Sequence, residues 1–239
     1  MSEQQRAGRA TSGERQFGEG PLARVTALIY SLLVVELLLL LTVLPGLVPT
    51  VLLAPDASNA PLVALFAIPL GPALSAALFA LHQHRGDLTD LRPFGRFWRG
   101  YRLNAVGVLQ IWIPYLVGMA VIAVNLAHPE SAGVPGWWAV VLVLIALVAS
   151  LWVANALVIT SLYAFRARDV ARLAVYFLGR TKGVTLGNAG LLVIAAGITY
   201  ATSEAILALL GSVLAFGLLV TCRPMTAVVR TEFTAFTGA

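Results

Sequence analysis

All sixteen Lys and Arg residues of this chain fall into four clusters, and the long apolar stretches between them contain none. The clusters occupy residues 6–24, 85–102, 166–182 and 223–230, with four, five, five and two basic residues. A helix needs about 20 apolar residues to cross the hydrocarbon core of a bilayer, and basic residues flanking such helices stay cytoplasmic. Placing all four clusters on one side makes the chain alternate regularly across a membrane. The three opposite loops carry Asp56, His128, Glu130 and Glu204 but no Lys or Arg. This pattern predicts an all-α, polytopic transmembrane helical bundle of six spans with both termini cytoplasmic.

Composition agrees. The chain is 59% hydrophobic and 11% charged, against about 45–50% and about 25% in a soluble domain. The net charge of +5 is dispersed over loops beside apolar spans. That points to anionic lipid headgroups as partner, not to nucleic acid. A lone cysteine, Cys222, forms no internal disulfide and reads as a small apolar filler. Residues 1–20 are polar and read as a disordered cytoplasmic tail, leaving 21–239 as a single six-span domain. The first apolar stretch is longer than the ~7–15 residues of a signal-peptide core and is expected to remain as an anchor.

The spans are expected at 25–44, 62–81, 104–126, 137–165, 184–200 and 205–221, the first ending at Pro45-Gly46. Residues 45–61 read either as an extension of the first helix or as an interfacial hairpin outside. Two cytoplasmic loops carry helical stripes. In 91–103, Phe94, Phe97, Trp98 and Tyr101 are interleaved with Arg92, Arg96 and Arg99. In 169–180, the stripe Val170, Leu173, Ala174, Phe177 and Leu178 is flanked by Arg168, Arg172 and Arg180, and Asp169 is a candidate N-cap. Each predicts a short interfacial amphipathic helix and a surface for lipid or a partner.

Glu36 is the sharpest anomaly. It lies about twelve residues into the first span, roughly 18 Å deep at ~1.5 Å per residue. An acid there costs on the order of 2.5–3.5 kcal/mol on insertion scales. The neighbours on its own helix are leucines, so a partner must come from another helix, with Asn155, Gln110 and Ser75 as candidates. A proton- or substrate-linked carboxylate, a structural hydrogen bond and a contact kept for a partner protein are the open readings. The second anomaly is Pro69-Leu70-Gly71-Pro72, which breaks or kinks the second span because proline removes a backbone donor. Broken spans line substrate sites in transporters, but they also occur as packing kinks satisfied by neighbouring helices. Ala73, Ala76, Ala77 and Ala80, and Gly183, Gly187 and Gly190, read as close-packing faces.

Catalytic constellations are missing. The chain has no G-x-x-x-x-G-K-[ST], H-E-x-x-H or G-x-S-x-G motif, so no P-loop, zincin or nucleophile-elbow chemistry is expected. His82 and His84 are spaced wrongly for a helical metal chelate. No cofactor, metal or enzymatic activity is expected.

Four segments carry a family resemblance. They are residues 17–24 before the first span, Pro69-Leu70-Gly71-Pro72-Ala73 with its small-residue tail, the Phe-rich basic run 94–104, and 162–169 before the second amphipathic stretch. With these the chain resembles the YesL-like family of six-helix bacterial membrane proteins, and its Ala-, Leu- and Arg-rich composition is similar to that of actinobacterial members. The resemblance implies a multi-pass protein of the bacterial inner membrane. Members of that family are often encoded beside carbohydrate ABC importers, which implies an accessory role in sugar uptake through importer subunits, with homo-oligomers also open. It transfers no catalytic residue. The competing expectation is a small transporter or channel using Glu36 and the broken second helix.

Overall fold

The computed structural model describes residues 21–53, 56–83, 92–128, 135–202 and 204–233. The expected tail 1–20 lies outside the described residues, as do His84, Arg85, Leu91, Glu130 and the side chain of Glu204. The described chain is helical throughout, without strands. Four helices are long and apolar enough to cross a membrane, and up to six spans result if each of two bent helix pairs counts as one.

The first helix, α1, runs Pro21–Leu52 and passes straight through Pro45 and Pro49. The Pro45-Gly46 pair therefore does not end it, and the helix-extension reading of this segment is the one realised. Each proline forfeits only its own N–H bond, and in an apolar setting continuing the helix keeps the remaining backbone groups paired. Gly46 has a separate role. Any Cβ there would collide with the carbonyl of Phe66, so α1 crosses the next helix backbone to backbone.

A 3-10 turn, Ala57–Asn59, leads into α2, Ala60–Phe66, and α3, Leu70–His82. These two helices form a pair bent by 46° around the Pro69–Pro72 segment. Helix α3 is the centre of the bundle. Ala73, Ala76 and Ala77 are fully buried, because side chains this small let α1 and the later helices approach closely.

Helix α4 runs Pro93–Ala127 without interruption. The aromatic–basic stretch is thus not a separate interfacial helix: its described part, from residue 92, leads into and forms the first turns of the long apolar helix α4. After Gly100 no breaker separates it from the apolar part, and one face continues across the junction. Phe97, Gly100, Val108 and Ile111 are buried on it, and Asn104 on the same face donates to the carbonyl of Ser161 at 3.2 Å. At ~1.5 Å per residue α4 is roughly 50 Å long, well beyond the ~30 Å hydrocarbon core.

Helix α5, Trp137–Leu162, is followed by α6, Ala167–Arg180. The latter is the expected amphipathic helix, but its stripe of Val170, Ala174 and Phe177 is fully buried against α4, α5 and the following helix. Protein, not lipid, covers it, and the Trp152 indole N–H donates to its Ala171 carbonyl at 3.1 Å. Arg166, not Asp169, occupies the N-cap position, and Asp169 sits in the first turn, where a carboxylate complements the helix dipole.

Helix α7, Lys182–Ala201, precedes a divided segment: α8, Glu204–Ala208, then α9, Gly211–Thr221, then α10, Arg223–Val228. The expected continuous sixth span is therefore interrupted at Leu209–Leu210. A second bend, of 53°, separates α9 from the stretch after Cys222. Of the three glycines read as a packing face on α7, only Gly187 serves as one. A Cβ there would strike Thr221, while Gly183 and Gly190 face open space.

Candidate intramembrane polar site

None of the three side chains expected to meet Glu36 does so. Glu36 is nine-tenths buried, and its Oε2 accepts the backbone N–H of Ser212 at 2.6 Å. Ser212 is the second residue of α9, so its N–H is one of the four that a helix start leaves unpaired. Glu36 is thus a cap delivered by a different helix. The positive end of the α9 dipole favours an acidic group at this point. Gly211 lies beside it. A Cβ at 211 would lie 3.6 Å from Oε1 and 3.3 Å from a Leu39 methyl. The other oxygen, Oε1, is buried without a hydrogen-bond partner.

The expected partners are engaged elsewhere. Gln110 is exposed on the outer face of α4. The Ser75 hydroxyl accepts from that of Ser161 at 2.8 Å, joining α3 to α5. Asn155 is fully buried, and its Oδ1 accepts from Asn188 Nδ2 at 3.0 Å. The Cys222 thiol in turn lies 3.7 Å from Asn188 Oδ1 as donor. Cys222 is therefore more than filler. It closes a three-residue polar cluster linking α5, α7 and the end of α9, in which Asn155 Nδ2 is left without a partner.

The break between α2 and α3 is closed by another helix as well. The Trp112 indole N–H donates to the Ala67 carbonyl at 3.0 Å. Gly71 lies flat against the same ring, since a Cβ there would fall 2.5 Å from Cγ of the indole. Leu65 accepts from the Ile68 N–H, and Pro69 from the Ala73 N–H, each at 3.2 Å. One tryptophan on α4 thus fills and hydrogen-bonds the gap that two prolines and a glycine open.

Between the two interrupted segments lies a half-open cavity of about 570 Å³. Helices α1, α2, α3, α5, α7, α8 and α9 all contribute to its wall, with Gly211 at one point. The wall is almost entirely aliphatic, and its polar members, Asn188 and Thr199, are bonded to Asn155 and to the Ala195 carbonyl.

At the basic end of the bundle, Arg92, Phe94, Arg99, Arg168 and Arg172 are exposed, while Arg96, Trp98 and Tyr101 are half-buried. Phe97 and Phe177 are fully buried and so belong to the core, not to an exposed partner surface. Their helical stripe is shared with the arginines in sequence but turned inward by the packing of α4 and α6. Phe94, Trp98, Arg99 and Arg102 remain as an outward strip on α4, with Gly95 leaving a notch among them. Phe94 packs edge-on to Trp98 at 6.5 Å and Trp98 to Tyr101 at 5.6 Å. Arg180 pairs with Glu232 at 3.7 Å, an exposed contact of small energetic weight.

Among the described residues no group of three or more His, Cys, Asp and Glu side chains could hold a metal ion. Compared with family models, with curated proteins and with solved structures, the chain matches none.

Proposed function

We propose that this chain is a six-span protein of a bacterial inner membrane, with both termini cytoplasmic, that acts through contacts made by its basic end. The contacts are with subunits of an ABC-type carbohydrate importer, as the YesL-like resemblance implies, and the chain has no enzymatic activity of its own. One observation carries the reading: Phe94, Arg99 and Arg102 are exposed on α4, with the half-buried Trp98 among them. Aromatic and Arg side chains are the types enriched where proteins meet, and exposed arginines also hold anionic headgroups. The buried polar groups lend support, because Glu36, Ser75, Asn188 and Trp112 are spent on joining helices.

The test is affinity purification of the full chain in native lipid. Importer subunits are expected with the unaltered chain and lost with Trp98→Ala combined with Arg99→Glu, and deletion is expected to lower sugar uptake. Recovery of no transporter subunit together with unchanged uptake overturns the proposal. Reporter fusions at each loop check the orientation.

The second reading is a small transporter or channel. It is favoured by two interrupted segments flanking one cavity, an arrangement known from transporters. The aliphatic wall counts against a sugar or ion as cargo. Reconstituted vesicles would show flux reduced by Glu36→Gln; unchanged flux removes the role of Glu36.

A further inference from the structure

The cavity between the interrupted segments has a chemistry that selects its occupant. Water needs two to four polar partners to be held in place, and the half-open wall offers only the side chains of Asn188 and Thr199, which already bond Asn155 and the Ala195 carbonyl. A polar solute fails for the same reason. What remains is hydrocarbon. Along α7 the wall extends from Asn188 to Thr199, roughly 16 Å at ~1.5 Å per residue. That is about half of the ~30 Å hydrocarbon thickness, the depth of one leaflet. The volume of about 570 Å³ falls within the ~300–1,000 Å³ of small-molecule sites.

We propose that this cavity is an acyl-chain site, in which the hydrocarbon chain of a bilayer phospholipid is held between α1, α3, α7 and α9. The chain completes the packing around Leu39, Leu74, Leu191 and Leu214 that the two interruptions leave open. The lipid is a structural ligand, and the site is independent of the outward strip on α4.

Native mass spectrometry of the full chain, purified from bacterial membranes in mild detergent, is expected to show a retained phospholipid. Ala154 and Ala195 line the cavity. Ala154→Phe with Ala195→Phe is expected to cut the retained fraction roughly fivefold by filling the space. A second measurement uses the unaltered chain and so does not depend on the variant folding. After delipidation, phosphatidylglycerol with hexadecanoyl chains is expected to raise the unfolding temperature by several degrees, as a ligand of the native state does. The dihexanoyl form, with the same headgroup, is expected to leave it unchanged. Equal stabilisation by both forms would show that the headgroup is bound instead and overturns the proposal. So does the absence of both retained lipid and stabilisation.

Discussion

Glu36 caps a helix whose second residue, Ser212, lies 176 residues further along the chain, through one short hydrogen bond from the Ser212 N–H to its carboxyl oxygen. The bond joins α1 to α9 at the point where the last apolar segment is interrupted. Glu36→Gln keeps an oxygen acceptor, and is expected to cost less than about 1 kcal/mol. Glu36→Leu keeps the volume but strands a buried N–H, and is expected to cost about 1–3 kcal/mol. Thermal unfolding in lipid nanodiscs, with amide exchange at Ser212, measures both. A leucine variant as stable and as protected at Ser212 as the unaltered chain would sink the capping role.

The seating of Trp112 against Gly71 predicts non-additive mutations. Gly71→Ala places a methyl where the indole sits and is expected to cost about 1–3 kcal/mol by overpacking. Trp112→Leu removes the donor to Ala67 and leaves a void. Combined, the new methyl meets no ring, so the double variant should lose at least about 0.5 kcal/mol less than the sum of the two singles. Strict additivity in a double-mutant cycle would mean that the ring does not rest on Gly71 in solution.

What the sequence makes legible follows from how each element is encoded. Apolar runs and the break at Pro69–Pro72 announce themselves by residue type, as do the alanines that place α3 at the centre. The interruption at Leu209–Leu210 does not. No proline marks it, and Gly211 in an apolar run is its only local sign. The partner of Glu36 is hidden for a related reason, because residue type does not reveal a backbone N–H freed by a helix start. Pro45-Gly46 misleads in the opposite sense. The glycine serves close helix crossing at Phe66, while the apolar surroundings carry the helix past the proline. At the basic end, periodicity identifies the stripes of Phe97 and Phe177, but whether protein or lipid covers a stripe depends on neighbours distant in sequence.

The turn between α1 and α2 provides a titration. Asp56 accepts the Ser58 N–H at 2.7 Å, and this bond to the backbone of Ser58 is the main reason its carboxyl lies below the usual carboxylate range. A folded-state value below the unfolded one stabilises the turn above the unfolded value, and that stability is lost as pH falls through the folded value. Exchange of the Ser58 amide should therefore be slow at neutral pH, relative to its intrinsic rate, and lose its protection only below about pH 4. In Asp56→Asn the protection should vary little with pH. Protection in the unaltered chain that is unchanged down to pH 2 would contradict the cap.

The cluster of Asn155, Asn188 and Cys222 offers the cleanest readout, since Cys222 is the one thiol of the chain and is fully buried. Maleimide should label it only as fast as α9 opens. Asn188→Leu removes the donor to Asn155 Oδ1, leaving a buried amide unpaired. It is expected to cost about 1–3 kcal/mol and to speed labelling by an order of magnitude or more. Replacing both members, Asn155→Leu with Asn188→Leu, removes donor and acceptor together, so the cost should fall to near zero, because only the weakly bonding Cys222 thiol loses a partner. If instead the double variant is destabilised by the sum of the singles, the asparagines do not act as a pair. Their burial would then need a different explanation, such as a partner for the free Asn155 Nδ2.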